Sequence, residues 1–273
     1  MNFFTKDYNR IYETDEDLLR GCTVLEDVSD GARHKMWVKK DDQKFLYKTS
    51  KLTTFNSYTF EHASEFLVKR LCDALGVPCV DIQLGDHGIL SRVMSNEYLQ
   101  SFIEMSDEFS HSFHLSNLST FNVSTLLNPI TNCYYLDVVR MLLVDVLIGN
   151  SDRHPGNFMY SESGFYPLFD NGSSLLEYVN EVDALPILKD KMRFKTINES
   201  KSRPVVRDEQ KLTHHQLLSI LANQFDFEVR MLAAGLSNIN FDKLFQDIRI
   251  SEQRKELLQK FLEYRINWFK EIV

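Results

Sequence analysis

Two acids and an amide, Asp152, Asn157 and Asp170, stand at spacings that suit the transfer of a phosphoryl group. Such transfer asks a protein mainly for positioning and charge neutralisation: a lysine on the phosphates, oxygen ligands for magnesium, and a carboxylate that orients a hydroxyl nucleophile. In Gly149-Asn150-Ser151-Asp152-Arg153-His154-Pro155-Gly156-Asn157 the spacing is D-x-x-x-x-N, in which the carboxylate faces the nucleophile and the amide oxygen binds a metal. Asp170 follows in Pro167-Leu168-Phe169-Asp170-Asn171-Gly172, read as an apolar strand that turns sharply at Gly172 and aims the carboxylate at Mg2+. A D-x-x-x-x-N match alone recurs by chance in loops; here an apolar helix precedes it and a D-x-G follows it. Capping carboxylates beside a surface amide would leave the concentration of Asn150, Asp152, His154 and Asn157 unexplained.

Upstream, Lys48 lies on the candidate strand Phe45 to Lys48, where a basic side chain facing a cleft would pair nucleotide phosphates and a helix carboxylate. Glu65 is the expected partner, with Glu61 one turn earlier as the rival. A lone strand lysine is ordinarily a solvated edge charge, and only the ordered set lifts this one. Gly31 would let backbone N–H groups approach phosphate oxygens, although one glycine between strands is also the commonest hairpin signature.

The elements that must position these residues are legible in outline. Met36 to Val38 and Lys44 to Lys48 read as a hairpin around the polar turn Lys39 to Gln43. Ala63, Phe66, Leu67, Leu71 and Leu75 recur at helical spacing, and Gly76 with Pro78 supplies the stop. Val80 to Val93 reads as two strands around Gly85-Asp86-His87-Gly88. Ser106 to Asn132 lacks a clean period and is read as a partly helical insert or loop. Tyr134 to Ile148 is apolar on nearly every side, which predicts a buried helix that delivers the chain to Asn150. Three helices are expected over His214 to Ala234, Asn240 to Ile248 and Ser251 to Val273. His214-His215 is read as a helix start, since no third metal ligand accompanies it.

Composition bounds the class. The chain has 273 residues, 43% of them hydrophobic, enough for one large domain or two lobes. A net charge of −8 argues against a general nucleic-acid or anionic-membrane binder. The first residues lack the pattern of a signal peptide and no run approaches a membrane span, so a cytoplasmic location is expected, secretion by another route staying open. Cys22, Cys72, Cys79 and Cys133 carry no zinc or disulfide spacing. The stretch Leu188 to Leu212 is rich in Lys and Arg, Arg203 among them. It reads either as a seat for an acidic substrate or as a solvated loop balanced by Asp190, Glu199, Asp208 and Glu209.

With these residues in hand, the chain resembles the HipA-like kinases, and more distantly the phosphatidylinositol 3- and 4-kinases, whose catalytic loop places the histidine after the aspartate, as Asp152-Arg153-His154 does. Gly31-Ala32-Arg33-His34-Lys35 is similar to the G-A-x-x-K phosphate loop of HipA. The resemblance implies an α+β, two-lobed protein-kinase-like fold. Residues 1–95 would form a small antiparallel-sheet N-lobe and residues 96–273 a mainly helical C-lobe. It implies ATP and Mg2+ as cofactors, with Gly31, Lys35, Lys48 and His154 on the nucleotide, Asn157 and Asp170 on the metal, and Asp152, Lys48 and Glu65 as the catalytic set. A protein substrate phosphorylated on Ser or Thr is implied, often with autophosphorylation. HipA carries a further subdomain before its phosphate loop that is not matched before Gly31, so the compact stand-alone form is expected and an antitoxin-like partner is left unsupported. Ser29 lies one residue from the position of HipA's regulatory serine, which here is Val28, and is a candidate for self-modification. Two other readings use the same parts: a small-molecule or lipid kinase, and a nucleotide-binding module that no longer transfers phosphate.

Overall fold

The computed structural model describes residues 9–28, 34–53, 57–92, 100–101, 121–129, 133–161, 164–205 and 210–273. Gly31, Ser29 and most of the 106–132 insert lie outside them, as do residues 93–99, where the boundary between lobes was expected. The elements run β1 (Arg10–Ile11), α1 (Asp15–Leu19), β2 (Thr23–Val28), β3 (Lys35–Lys40), β4 (Gln43–Thr49), α2 (Glu61–Leu75), β5 (Ile82–Leu84) and β6 (Gly88–Arg92). They continue with β7 (Gln100–Ser101), β8 (Phe121–Asn122), α3 (Val123–Leu126), α4 (Tyr135–Ile148), a 3-10 turn (Pro155–Asn157), β9 (Met159–Ser161) and β10 (Gly164–Phe165). The last are α5 (Glu181–Lys189), α6 (Lys191–Asn198), β11 (Lys201–Val205), β12 (Lys211–Thr213), α7 (His214–Gln224), α8 (Asp226–Leu236), α9 (Phe241–Phe245) and α10 (Glu252–Ile272).

The first sheet has the order β1-β5-β6-β4-β3-β2 and is antiparallel except for β1, which runs parallel to β5. The hairpin β3–β4 closes on Asp41 and Asp42 alone, both left-handed (φ 48° and 62°), the backbone that lets a two-residue turn follow strand twist. The sequence reading of this turn, Lys39 to Gln43, was thus wider than the turn itself. α2 ends at Gly76, left-handed at φ 66°, where the sequence placed its stop. Its inner face, Phe66, Leu67, Val68 and Leu71, is buried in the same core as α4, whose residues Val138 to Ile148 are without solvent contact apart from a trace at Asp145 and the polar exception Arg140. Each such aliphatic side chain contributes about 1.5–3 kcal/mol by leaving water.

Three expectations need correction. Pro167 to Gly172 is no strand: Leu168 alone makes a bridge, to Cys79. The described residues of the basic stretch Leu188 to Leu212 form α6, β11 and the start of β12 rather than a solvated loop, with Asp190 capping α6 and β11 pairing with both β12 and β8. The helix expected over His214 to Ala234 is two, because Phe225 leaves helical geometry (φ −136°, ψ 50°) and packs its ring against Tyr135, while Asp226 and Glu228 start the next helix with favourable charge. Small sheets β10-β9-β7 and β12-β11-β8 accompany the helices of this half and had no clear signal in the sequence.

Candidate active site

The loop that follows α4 is fastened at its start. Gly149 adopts φ 68°, and a Cβ there would lie 2.8 Å from Phe261 Cζ, so the position needs both glycine's freedom and its lack of a side chain. Asn150 then donates its amide to Asp145 Oδ1 (2.9 Å) and accepts the Asp152 N–H on its own Oδ1 (2.9 Å). Asp145 is a buried acid in an apolar helix, which requires a partner. That partner is Arg153, itself buried, whose Nε lies 3.0 Å from Asp145 Oδ2. The rest of the guanidinium reaches the Asn157 carbonyl (2.8 Å), the Phe169 carbonyl (2.9 Å) and Asn171 Oδ1 (2.5 Å). One side chain therefore holds the Asp152–Asn157 loop and the Phe169–Asn171 segment in a common frame. Burial disfavours the Arg153 charge, but the Asp145 carboxylate outweighs it and holds the guanidinium above its ordinary range, while burial, opposed by Arg153, raises the Asp145 carboxyl above its own.

Asn157 is buried and donates Nδ2 to the Asp152 carbonyl (3.0 Å), which leaves Oδ1 as the end able to meet a cation. Across the frame, Asp170 accepts from Lys48 Nζ (2.7 Å), and Lys48 is also ion-paired with Glu65 of α2. Burial pulls the Lys48 ammonium down, yet Asp170 and Glu65 together hold it above its ordinary range, so it stays charged. Glu61, the rival, instead accepts the Lys51 N–H (3.0 Å). The turn is made by Asp170 itself, which is left-handed at φ 52°. Gly172 is needed for closeness: a Cβ there would stand 3.2 Å from Glu65 Oε1 and 3.4 Å from Glu61 Cβ. Asn157 Oδ1 and the Asp170 carboxylate are hard oxygen donors on two segments pinned by Arg153. They fit Mg2+, which takes one or two protein oxygens and completes its shell with phosphate and water.

Lys35 is the direct cross-strand partner of Lys48, so the two side chains rise from the same face of the sheet. His154 turns its Nδ1 inward to accept the Gly156 N–H (3.1 Å) and caps the 3-10 turn. Two residues reach the site in roles the sequence reading did not give them: Arg203, read there within a basic stretch, and His214, read as a helix start. Arg203 of β11 is ion-paired with Asp152 through Nη2, and its Nε donates to the Ser151 carbonyl (3.1 Å). His214 is fully buried between two carbonyls, with Nε2 2.9 Å from the Asn150 oxygen and Nδ1 2.9 Å from the Ser200 oxygen and 3.1 Å from Ser200 Oγ. Burial, helped by Arg265, lowers His214 to about 3, so the ring is neutral and has one N–H for the two carbonyls it faces. The signal for Asp145 was present, as an acid among the apolar residues that close α4; the contacts of Arg203 and His214 with the catalytic loop, to residues more than fifty positions away, carry no local pattern.

Behind the site, α10 supplies two buried arginines. Arg265 donates to the carbonyls of Val146, in the last turn of α4, and of Asn198 (2.9 Å), and to Ser200 Oγ (3.0 Å). Arg254 donates to the carbonyls of Val179 (2.6 Å) and Leu176 (2.7 Å), just beyond Gly172. Burial lowers them to about 9 and about 10, still charged at neutral pH, and aromatic faces of Phe261, Trp268 and Phe60 lie against them.

Comparison with known proteins gives three findings. Residues 18–238 match the family model described as phosphatidylinositol 3- and 4-kinase. The chain is 24% identical over 235 residues to the serine/threonine-protein kinase CtkA of Helicobacter pylori, covering 77% of this chain and 71% of that one. The crystal structure of the Helicobacter pylori proinflammatory kinase CtkA superposes with a TM-score of 0.75 at 18% identity, over 92% of this chain and 96% of the other. The fold is therefore kinase-like, α+β, with the antiparallel-rich sheet in the N-terminal part and the helices in the C-terminal part. Among the described residues no helix is long and apolar enough to cross a membrane.

Proposed function

The chain belongs to the phosphatidylinositol 3- and 4-kinase family, and we propose that within it this protein is an ATP- and Mg2+-dependent kinase that phosphorylates Ser or Thr hydroxyls of proteins, its own chain included, in the manner of the HipA-like group. The observation that carries the reading is the Lys48–Asp170 contact: it joins the phosphate lysine of the sheet to the metal aspartate of the helical half, 122 residues apart, and Arg153 ties that aspartate's segment to Asp152 and Asn157. Lys48, with Lys35 beside it, neutralises nucleotide phosphates; Glu65 holds Lys48 in place; His154 caps the 3-10 turn that carries Asn157. Asn157 and Asp170 hold Mg2+, which when bound draws charge from the phosphate oxygens. Asp152 orients the acceptor hydroxyl. The acceptor oxygen bonds to the γ-phosphorus as the bond from that phosphorus to the β–γ bridging oxygen breaks, ADP leaves with the electron pair, and the acceptor proton passes to the Asp152 carboxylate.

The family's name favours a second acceptor, a phosphoinositide, and the protein reading is supported by the name of the Helicobacter relative. One experiment separates them. Purified protein with γ-labelled ATP and Mg2+ is incubated alone, with myelin basic protein and with phosphatidylinositol vesicles. Label on Ser or Thr is expected. Label on the lipid alone would replace the protein reading with the lipid one, and no label in any arm would reduce the site to a nucleotide-binding module.

A further inference from the structure

A carboxylate that orients a nucleophile must keep one rotamer, because a displacement of about 1 Å at a reacting group costs on the order of 100-fold in rate. The Asp152 backbone is tied at both ends, through its N–H to Asn150 and its carbonyl to Asn157. Its side chain meets Arg203. We infer that Arg203 is a positioning residue for Asp152: it occupies one carboxylate oxygen and so presents the other to the acceptor hydroxyl. The inference rests on the kinase reading given above.

Arg203 is held as a part of the site would be held. In β11, whose register with β12 shifts between Lys201 and Val205, Ser202 is buried and donates to the Leu212 carbonyl (3.0 Å), while its neighbour Arg203 lies on the catalytic loop. The strand's start is locked to that loop through buried groups. Arg265 donates to Ser200 Oγ, Ser200 meets His214 Nδ1, and His214 Nε2 lies 2.9 Å from the carbonyl oxygen of Asn150, two residues before Asp152. The distance from Arg203 to Asp152 is thus set by the core and not by two mobile surface chains. The guanidinium itself is fixed at two points, Nη2 on Asp152 and Nε on the Ser151 carbonyl, so its plane cannot swing. The two side chains keep 25% and 37% of their surface, so the ion pair is part-buried and what it contributes is geometry rather than stability.

The test compares the parent with Arg203→Gln and Arg203→Lys, using γ-labelled ATP, Mg2+ and myelin basic protein, with nucleotide affinity and stoichiometry measured by calorimetry. Arg203→Gln is expected to lower kcat by roughly 10–100-fold, with KM for ATP and for acceptor within about threefold, because only presentation of the carboxylate is lost. Arg203→Lys keeps the charge without the Nε contact to Ser151, and is expected to fall between the two. A kcat within threefold of the parent, or above it, would overturn the inference, the second marking the contact as a latch that substrate must displace. A loss matched by the fraction of protein unable to bind nucleotide would overturn it too, as a folding effect. A parent that labels nothing would bring down the kinase reading and this inference together, whereas an active parent with an unaffected Arg203→Gln removes the inference alone.

Discussion

Lys48 stands between two carboxylates, Glu65 buried and Asp170 a third exposed, so its removal acts on the fold and on the chemistry at once. Taking one partner from a buried pair costs about 3–5 kcal/mol, since the remaining charge loses its counterion. Lys48→Met is therefore expected to lower the unfolding midpoint in urea and to abolish transfer. The double variant Lys48→Met/Glu65→Gln should recover most of the stability and none of the activity; equal stability of the two variants would show that the pair is not what holds this corner. Asp152→Asn should behave differently. It removes the proton acceptor while the nucleotide is held by other groups, so a loss of roughly 100-fold or more in kcat is expected with ATP affinity within a few-fold by calorimetry. At this scale the sequence revealed which residue types meet, because Lys48, Glu65, Asp152, Asn157 and Asp170 converge on one frame. It misjudged how: the left-handed residue is Asp170 and not Gly172, since an unusual φ at a non-glycine residue leaves no trace in composition.

Gly172 and His214 show how whole elements meet at the site. An alanine at Gly172 would put its Cβ 3.2 Å from Glu65 Oε1 and force the Asp170 segment away from α2 by a few tenths of an ångström. Gly172→Ala is expected to cost about 1–2 kcal/mol in stability and about tenfold or more in kcat; an unchanged kcat would mean that the segment has slack. His214 joins α7 to the loop and gives stability a pH dependence. Its pKa of about 3 in the fold lies below the usual 6.5, so the unfolded chain takes the proton first; its contribution is full above pH 6.5 and is lost as pH falls toward 3. Glu177 runs the other way: burial first, then Glu61, raises it from 4.5 to about 7, so its contribution is full below pH 4.5 and is lost as pH rises through 7. Between pH 4.5 and 6.5 the two slopes oppose each other in the parent. His214→Gln removes one of them, and urea titrations of that variant across this window should show stability falling with rising pH by up to about 1.4 kcal/mol per unit relative to the parent. Parallel pH profiles for the two proteins would show that His214 is not buried neutral. Helices and hairpins were legible here wherever a period ended in a turn residue, as at Gly76 and Asp41-Asp42. The break at Phe225 was not: the residue leaves helical geometry where its ring meets Tyr135, a contact that local pattern does not carry.

Seen whole, the molecule places its chemistry between a sheet that begins the chain and helices that end it, and α10 holds both limbs of the site from behind. Arg265 reaches the end of α4 and Arg254 reaches the turn after Gly172. Arg265→Met would leave buried acceptors at Val146, Asn198 and Ser200 without their donor, each costing about 1–3 kcal/mol. A large drop in melting temperature is expected, with loss of activity in the folded fraction as well, although Arg265 touches no proposed substrate atom; normal activity at low temperature would show the loop to be self-supporting. None of this could be read from an arginine in an amphipathic helix, which by pattern alone is a surface residue. The arrangement also bears on when the protein can act. A chain is made from its amino end, at about 5–20 residues per second, and its early parts fold while later ones are still in the ribosome. Lys48, Asp152 and Asp170 all emerge long before Arg254 and Arg265 exist to pin their surroundings. A polypeptide stalled or cut short of residue 254 would hold every group proposed for the chemistry and lack the two arginines that back the segments carrying them, so the support of the site is completed only with α10.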